Sequence, residues 1–374
     1  MKVLHVLYAL RPSGMEKMLY DSAEYWKSHS VEIEILANDD NDGPFAGALR
    51  EKGYRVICIP WRESRRHLID FYKLIKREQY EVIHIHPIRG YWGFAIIAKL
   101  AGVKRVFKHF HNCFSSSDPL RYMWHFVQRH TIRFIKCISF SPSLSVQENE
   151  QKRYYFPTYL IWNWVDERKY SFISLDEKNR KRLAAGITKD KKVILSVGNC
   201  HTCGTMEQKN HQLILRAISQ IQAPLKNRLL YIHVGQEMDG FPERTLAKEL
   251  GVEDCVSFMG SSDCIHDLLS CADLFVMSSI REGLGNSTIE SLLSGVPVLL
   301  TWVQGLQDFG KIIPHINYTD LKPETMAKRI EELLLTDQDE LREKATESAT
   351  SALQYFSVEC SCSKLLAFYR GRAK

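Results

Sequence analysis

The sequence contains no apolar run of roughly 18 residues, so no transmembrane helix is expected. It has no internal repeat at solenoid spacing and no low-complexity tract, which excludes repeat arrays and fibrous architectures. The apolar opening from Met1 to Tyr8 is too short for a secretory leader and reads as a buried first strand. Ten cysteines are scattered without the paired spacing of a disulfide framework, so free thiols are expected. Cys200 and Cys203 form a Cys-x-x-Cys with no second pair, which argues against zinc. Charge of one sign is barely in excess: 50 basic against 44 acidic residues leave +6, which suits an anionic ligand but does not point to nucleic acid.

What is present is an ordinary globular composition, 45% apolar and 25% charged, in 374 residues, enough for two domains. Short apolar runs alternate with helical patterns from the start. Strands are expected at Met1–Leu10, 31–36, 55–59, 82–86, 104–109, 138–141 and 159–162, with helices to about Trp26, over 45–52, over 67–78 and over 119–136. This is the pattern of a doubly wound α/β domain. A charged, weakly patterned stretch over 171–191 reads as a hinge region with a short helix. Val193 to Gly198 then opens a second α/β domain, with further strands at 229–234 and 256–260 and helices over 324–335, 339–354 and 358–372.

The most informative stretch runs from Ala272 to Val298. Leu274–Met277 is a continuous apolar strand, and a polar loop with Glu282, Gly283, Leu284, Gly285 and Asn286 follows. Ser287 is a candidate N-cap with Glu290 three residues on, and Gly295 and Pro297 end the helix. Such strand–loop–helix units carry ligand sites at the strand C-terminal ends, where free helix N–H groups favour phosphate. Two readings of the acids stand side by side. Glu290 completes a capping box, or it holds ribose hydroxyls; Glu282 is a solvated loop acid, or it holds sugar hydroxyls. Elsewhere, Gly14 allows close approach of a ligand to the start of a helix. Asn210 is a candidate N-cap, and Lys209 beside it is either an exposed lysine or a cation for a diphosphate at that helix start. His84 and His86 share one strand face. The segment 119–136 mixes Arg121, Arg129, Arg133 and Lys136 with Tyr122, Trp124, Phe126 and Phe134, and Trp61 to His67 adds a basic cluster. That composition fits an anionic membrane surface, or a packed helix with its cations in water.

Asp273, Glu282, Gly283, Gly285, Glu290, Gly295 and Pro297 together resemble the signature of family-4 retaining glycosyltransferases of the GT-B fold. The pattern His109-Phe110-His111-Asn112 is similar to the subgroup that builds capsular and other extracellular polysaccharides. The resemblance implies two Rossmann-like domains facing a cleft, with an acceptor domain over 1–165, a nucleotide-sugar domain over 166–356 and a terminal helix over 357–374 crossing back to the first. It implies a retaining transfer from a nucleotide-diphosphate sugar, UDP-linked, to a glycan or polyprenyl-diphosphate-linked acceptor, in the cytoplasm or peripherally on the inner membrane face. His111, Glu282 and Lys209 would carry catalysis. Gly14, Gly198, Asn199, Lys209, Glu282, Gly283, Leu284, Gly285, Asn286 and Glu290 would bind the donor. No metal or other cofactor is expected, because Lys209 and helix N-termini would meet the diphosphate charge.

The chain departs from the family at four points. Ser13 replaces the first Gly of a Gly-Gly pattern, Asn199 replaces a diphosphate-binding Arg, Trp164 replaces a linker Gly, and Ser291 replaces an Ala. At Trp164 the loss of a flexible position would alter how the domains close. At Asn199 the missing charge would be made up by Arg281, His201 or His211. Two rival functions remain at this stage, a nucleotide-sugar 2-epimerase and a catalytically weak carbohydrate-binding relative.

Overall fold

A computed structural model describes all residues except 40, 61–65, 88, 114–117, 201, 204–205, 263 and 374; at 202, 203, 206 and 207 it describes the backbone alone. The basic cluster at Trp61–Arg65, His201 and the Cys203 thiol therefore lie outside the described residues. The chain forms two compact units, one made of Met1–Asp166 with Phe356–Lys374 and the other of Glu167–Tyr355.

The first unit is built on seven parallel strands: β1 Lys2–Leu7, β2 Glu32–Ala37, β3 Arg55–Cys58, β4 Val82–Ile85, β5 Arg105–His109, β6 Ile138–Ser141 and β7 Tyr159–Leu160. Their order is β3-β2-β1-β4-β5-β6-β7, so the direction of winding reverses beside β1. Helices cover both sheet faces, which is why β1 and β4 are largely apolar, whereas β2 alternates through Glu32 and Glu34. Two helices without a recognised sequence signal, Tyr91–Leu100 and Leu144–Tyr154, complete the crossovers. The terminal helix Val358–Tyr369 is capped by the Ser357 hydroxyl, which accepts from Cys360 N–H at 3.2 Å. Its Cys362, Leu365, Leu366 and Tyr369 join Val3, Leu19 and Trp26 in one core.

Trp164, which stands where the family carries a flexible linker Gly, is packed into the first unit. Its ring is 1% exposed in that same core, and its indole N–H donates to the Met18 carbonyl at 2.8 Å. The tryptophan is an anchor within the first unit. Arg129 departs similarly from a cation left in water. It is buried and forks onto Glu150, with Nη2 2.7 Å from Oε1.

The second unit is a six-stranded parallel sheet of β8 Lys192–Val197, β11 Leu229–Val234, β12 Val256–Phe258, β13 Leu274–Met277, β14 Val298–Thr301 and β15 Asn317–Thr319, in the order β12-β11-β8-β13-β14-β15. Between β8 and the next helix the chain forms a small antiparallel hairpin, β9 Thr202–Cys203 with β10 Met206–Glu207. Asp273, just before β13, ties this unit together. Its carboxylate accepts from Val193 N–H at 2.8 Å and pairs with Lys178 at 2.9 Å and Arg182 at 2.5 Å on the helix Leu175–Ala184. The two cations hold the Asp273 carboxyl below its ordinary range in spite of burial.

Candidate active site

In the second unit the loops after β8 and β13 meet, because the winding reverses between these neighbouring strands. Lys209 and Glu282, 73 positions apart, form an ion pair with Nζ 2.6 Å from Oε1. The Ser279 hydroxyl donates to the same oxygen at 2.8 Å. Glu282 is buried, whereas the Lys209 side chain keeps 25% of its exposure. The Lys209 side chain is thus partly open to solvent, whereas the carboxylate it pairs with is not. The two loops are stitched by Ile280 N–H to Gln208 carbonyl at 3.0 Å, Gln208 side-chain amide to Arg281 carbonyl at 3.1 Å, and Ser278 hydroxyl to Lys209 carbonyl at 2.9 Å.

Gly198 lies under the lysine stem, where a β-carbon would come within 3.1 to 3.2 Å of three Lys209 side-chain carbons. Its carbonyl is held by two imidazoles, His211 Nε2 at 3.1 Å and His233 Nε2 at 3.0 Å. The next strand must also come close: a β-carbon on Gly235 would sit 2.1 Å from the Gly198 carbonyl oxygen, so no other residue fits there without moving the loop. Burial pushes the His211 pKa well below its ordinary value, so this ring is neutral and supplies no charge in place of the missing arginine. Asn199 turns its side-chain oxygen onto Gln236 N–H at 2.8 Å and so braces the turn.

The glutamate-bearing helix starts earlier than spacing predicts, before Ser287. It runs Asn286–Leu293 with Gly285 as N-cap at φ 89°, a left-handed conformation that favours glycine. A β-carbon there would also press on Leu306 and the Met277 sulfur at 3.1 Å. Ser287 is not the cap, and its hydroxyl donates to the Val197 carbonyl at 3.3 Å. The expected capping box is therefore absent, and Glu290 sits buried one turn inside the helix. Gly283 and Leu284 are buried in the same loop, with Asn286 partly open. Asn210 does occupy the N-cap of the helix His211–Gln220, but in a left-handed conformation at φ 54° and without a side-chain cap bond.

Gly14 and His111 belong to the first unit. Gly14 opens the helix Gly14–Ser28, while the Ser13 hydroxyl donates to the Glu16 carboxylate. Desolvation raises the buried Glu16 to about 7. His111 follows β5, stacked on His109 with ring centroids 4.6 Å apart and bonded through Nε2 to His86 Nδ1 at 3.0 Å. Burial lowers its pKa to about 3, so the ring is neutral. Sequence patterns did not reveal Ser279, His233 or Gly235 as parts of the site, and the contacts of His233 and Gly235 come from a chain segment distant in sequence.

Two Asp-x-Asp spacings occur, at Asp40/Asp42 and Asp337/Asp339. Asp42 pairs with Arg50, and Asp337 accepts from the N–H groups of Asp339 and Glu340 at a helix start; Asp40 lies outside the described residues. No helix among the described residues is long and apolar enough to cross a membrane.

Two parallel sheets flanked by helices, with helix starts following the central strands of the second sheet, place the chain among the doubly wound α/β proteins. Comparison with known proteins narrows it. The family described as Glycosyltransferase Family 4 matches residues 12–169, and that described as Glycosyl transferases group 1 matches residues 177–352. The UDP-Gal:alpha-D-GlcNAc-diphosphoundecaprenol alpha-1,3-galactosyltransferase of Escherichia coli is 24% identical over 326 residues, 81% of this chain and 80% of that one. The GDP-mannose:cellobiosyl-diphosphopolyprenol alpha-mannosyltransferase of Xanthomonas oryzae pv. oryzae is 24% identical over 324 residues, 80% of this chain and 78% of that one. A more local match, to the N-acetyl-alpha-D-glucosaminyl L-malate synthase of Bacillus anthracis, is 27% identical and spans 40% of this chain and 36% of that one. Among solved structures, Anabaena HepE in complex with UDP and glucose superposes with a TM-score of 0.83 at 18% identity, covering 99% of this chain and 100% of that one, which shows the shared fold. The chain belongs to the family-4 glycosyltransferases of the GT-B fold.

Proposed function

We propose that this glycosyltransferase moves a sugar, with retained anomeric configuration, from a UDP-linked donor to a glycan or polyprenyl-diphosphate-linked glycan in cell-surface polysaccharide synthesis. The observation that carries the reading is the Lys209–Glu282 pair, placed just before two helix starts. A leaving diphosphate gains negative charge as the glycosidic bond breaks. The ammonium and the N–H groups of the two helices meet that charge, which is why no metal is needed in this reading. Glu282 then orients the lysine and takes sugar hydroxyls, and Glu290 takes ribose hydroxyls. Gly14, Gly198, Asn199, Gly283, Leu284, Gly285 and Asn286 shape the backbone around the donor, and His111 faces the sugar. The names of two relatives give an α-linked product and a diphosphate-linked polyprenol acceptor, which supports both the retention and the acceptor class. They name different donors, UDP-galactose and GDP-mannose, so the UDP assignment rests on the family resemblance.

The acceptor class also fits a surface of the first unit. Along the helix Pro119–Phe134, Leu120, Met123, Trp124 and Val127 are exposed at helical spacing, with Arg121 and Arg133 beside them. An apolar stripe flanked by cations suits an anionic lipid surface, where a lipid-linked acceptor is presented.

The decisive test is calorimetric titration of UDP and GDP in excess chelator. UDP is expected to bind, and Lys209→Ala and Glu290→Gln to weaken it by about tenfold, roughly 1.4 kcal/mol. Absence of nucleotide binding, or binding only with added metal, would overturn the assignment. Product from a UDP-sugar alone, without acceptor, would favour the 2-epimerase.

A further inference from the structure

Five histidines converge in the first unit. His5 lies on β1 opposite His84 of β4, His86 follows β4, and His109 and His111 come from the end of β5. The terminal helix lays Tyr369 against them. Four groups form a continuous chain: the Tyr369 hydroxyl to His5 Nε2 at 3.2 Å, His5 Nδ1 to His86 Nε2 at 2.9 Å, and His86 Nδ1 to His111 Nε2 at 3.0 Å. The same hydroxyl contacts His84 Nδ1. Burial holds all five rings neutral, with His5 and His111 down to about 3.

A neutral imidazole has one N–H and one lone pair. Each ring in such a chain must donate at one end and accept at the other, so a single choice sets every tautomer. If the tyrosine donates to His84, the lone N–H of His84 falls on Nε2, which is buried without a partner among the described residues. If the tyrosine donates to His5, His84 gives its Nδ1–H to the tyrosine oxygen and leaves only a bare lone pair at Nε2. A buried N–H without an acceptor is the rarer and more costly state. Both nitrogens of His109 lack partners among the described residues in either case, so that ring does not bias the choice. The favoured direction runs from Tyr369 outward and puts the His111 proton on Nδ1.

We infer that Tyr369, His5 and His86 are positioning residues that lock His111 as its Nδ1–H tautomer, a hydrogen-bond donor to a sugar hydroxyl and not a base. The inference rests on the proposed role of His111 at the donor sugar. Lys108 reinforces the arrangement from beneath, with its ammonium on the carbonyls of His86 at 2.9 Å, Pro87 at 3.0 Å and His109 at 2.7 Å. Ligand nitrogens of His86, His109 and His111 do lie within 4.8 Å of one another. Both nitrogens of His86 are already engaged, however, and its 3.0 Å contact to His111 is closer than the roughly 3.3 Å between ligands on tetrahedral zinc.

The test is nitrogen NMR of the full chain labelled at histidine, with His111 assigned by the His111→Asn variant. His111 is expected as a single Nδ1–H tautomer, becoming a mixture in Tyr369→Phe, which keeps the ring and its packing. In His86→Asn the same loss is expected. An Nε2–H tautomer in the unaltered protein, an unchanged tautomer in both variants, or a shift of His86 and His111 on adding one equivalent of zinc would overturn the relay. A second arm follows UDP release from UDP-galactose. Tyr369→Phe should lower kcat on the order of tenfold with KM within about twofold. The tautomer result stands whether or not this donor is used, so failure of the donor assignment is distinguishable from failure of the relay.

Discussion

At the scale of the residue, the proposed donor site keeps Lys209 but carries Asn199 where the resemblance implies a second cation, and neutral His211 does not replace that charge. A unit charge about 4 Å away is worth roughly 4 kcal/mol at an effective dielectric of 20. Lys209→Ala is therefore expected to lower turnover on the order of 100-fold or more, while melting changes little because Ser279 still donates to Glu282. Asn199→Arg in that background should recover part of the rate. The recovery is bounded by the lost brace to Gln236, which costs about 1 kcal/mol. Steady-state turnover and donor affinity for the wild type, both single variants and the double variant check this; a Lys209→Ala variant with most of its activity would mean that another cation holds the diphosphate.

At the scale of the element, the histidine column makes the first unit sensitive to acid. The folded pKa values of His5 and His111 are near 3, and those of His84, His86 and His109 are also lowered, all by desolvation. Below an unfolded value of about 6.5 the unfolded chain takes up protons that the folded chain refuses. Stability is thus complete above that pH and lost as pH falls from 6.5 toward 3, by up to about 1.4 kcal/mol per pH unit for each ring. Glu16, raised to about 7, opposes this with a single proton between pH 4.5 and 7. Denaturant unfolding from pH 7 to pH 5 should show the decline, and His109→Phe should flatten its slope by about one proton. The helix Pro119–Phe134 carries a separate expectation. Its exposed stripe, with Trp124 at 53% and Leu120 at 82%, should bind vesicles rich in anionic lipid at low salt and release them at high salt. Flotation of the wild type against Trp124→Ser and Leu120→Ser is the measurement. Unaltered flotation of both variants would move the contact elsewhere.

At the scale of the whole molecule, the chain's last segment completes its first unit. Val358, Leu365, Leu366 and Tyr369 enter the core around Val3 and Trp26. At about 1.5–3 kcal/mol for each buried side chain, the helix contributes on the order of 6 kcal/mol, comparable to a domain's entire stability. Truncation after Phe356 is expected to unfold the first unit while the second, whose sheet gains no strand from it, keeps a cooperative transition. Limited proteolysis and calorimetry of the truncated chain distinguish this from an unfolding of both.

The sequence by itself determined the α/β class, most strand positions and the loop from Glu282 to Glu290, because these depend on apolar periodicity and turn residues within a few positions of one another. The helix boundaries 67–78 and 138–141 for β6 were legible for the same reason. Tertiary structure alone decided what those residues touch. The meeting of Lys209 with Glu282 follows from the adjacency of β8 and β13, which is a property of sheet order. Gly285 displaced Ser287 as the helix cap because the loop must also fit against Leu306 and Met277. Trp164 became an anchor through an acceptor 146 positions away. The histidine column drew on three strands and the final helix, and no local pattern encodes a hydrogen-bond chain whose members are brought together only by long-range packing.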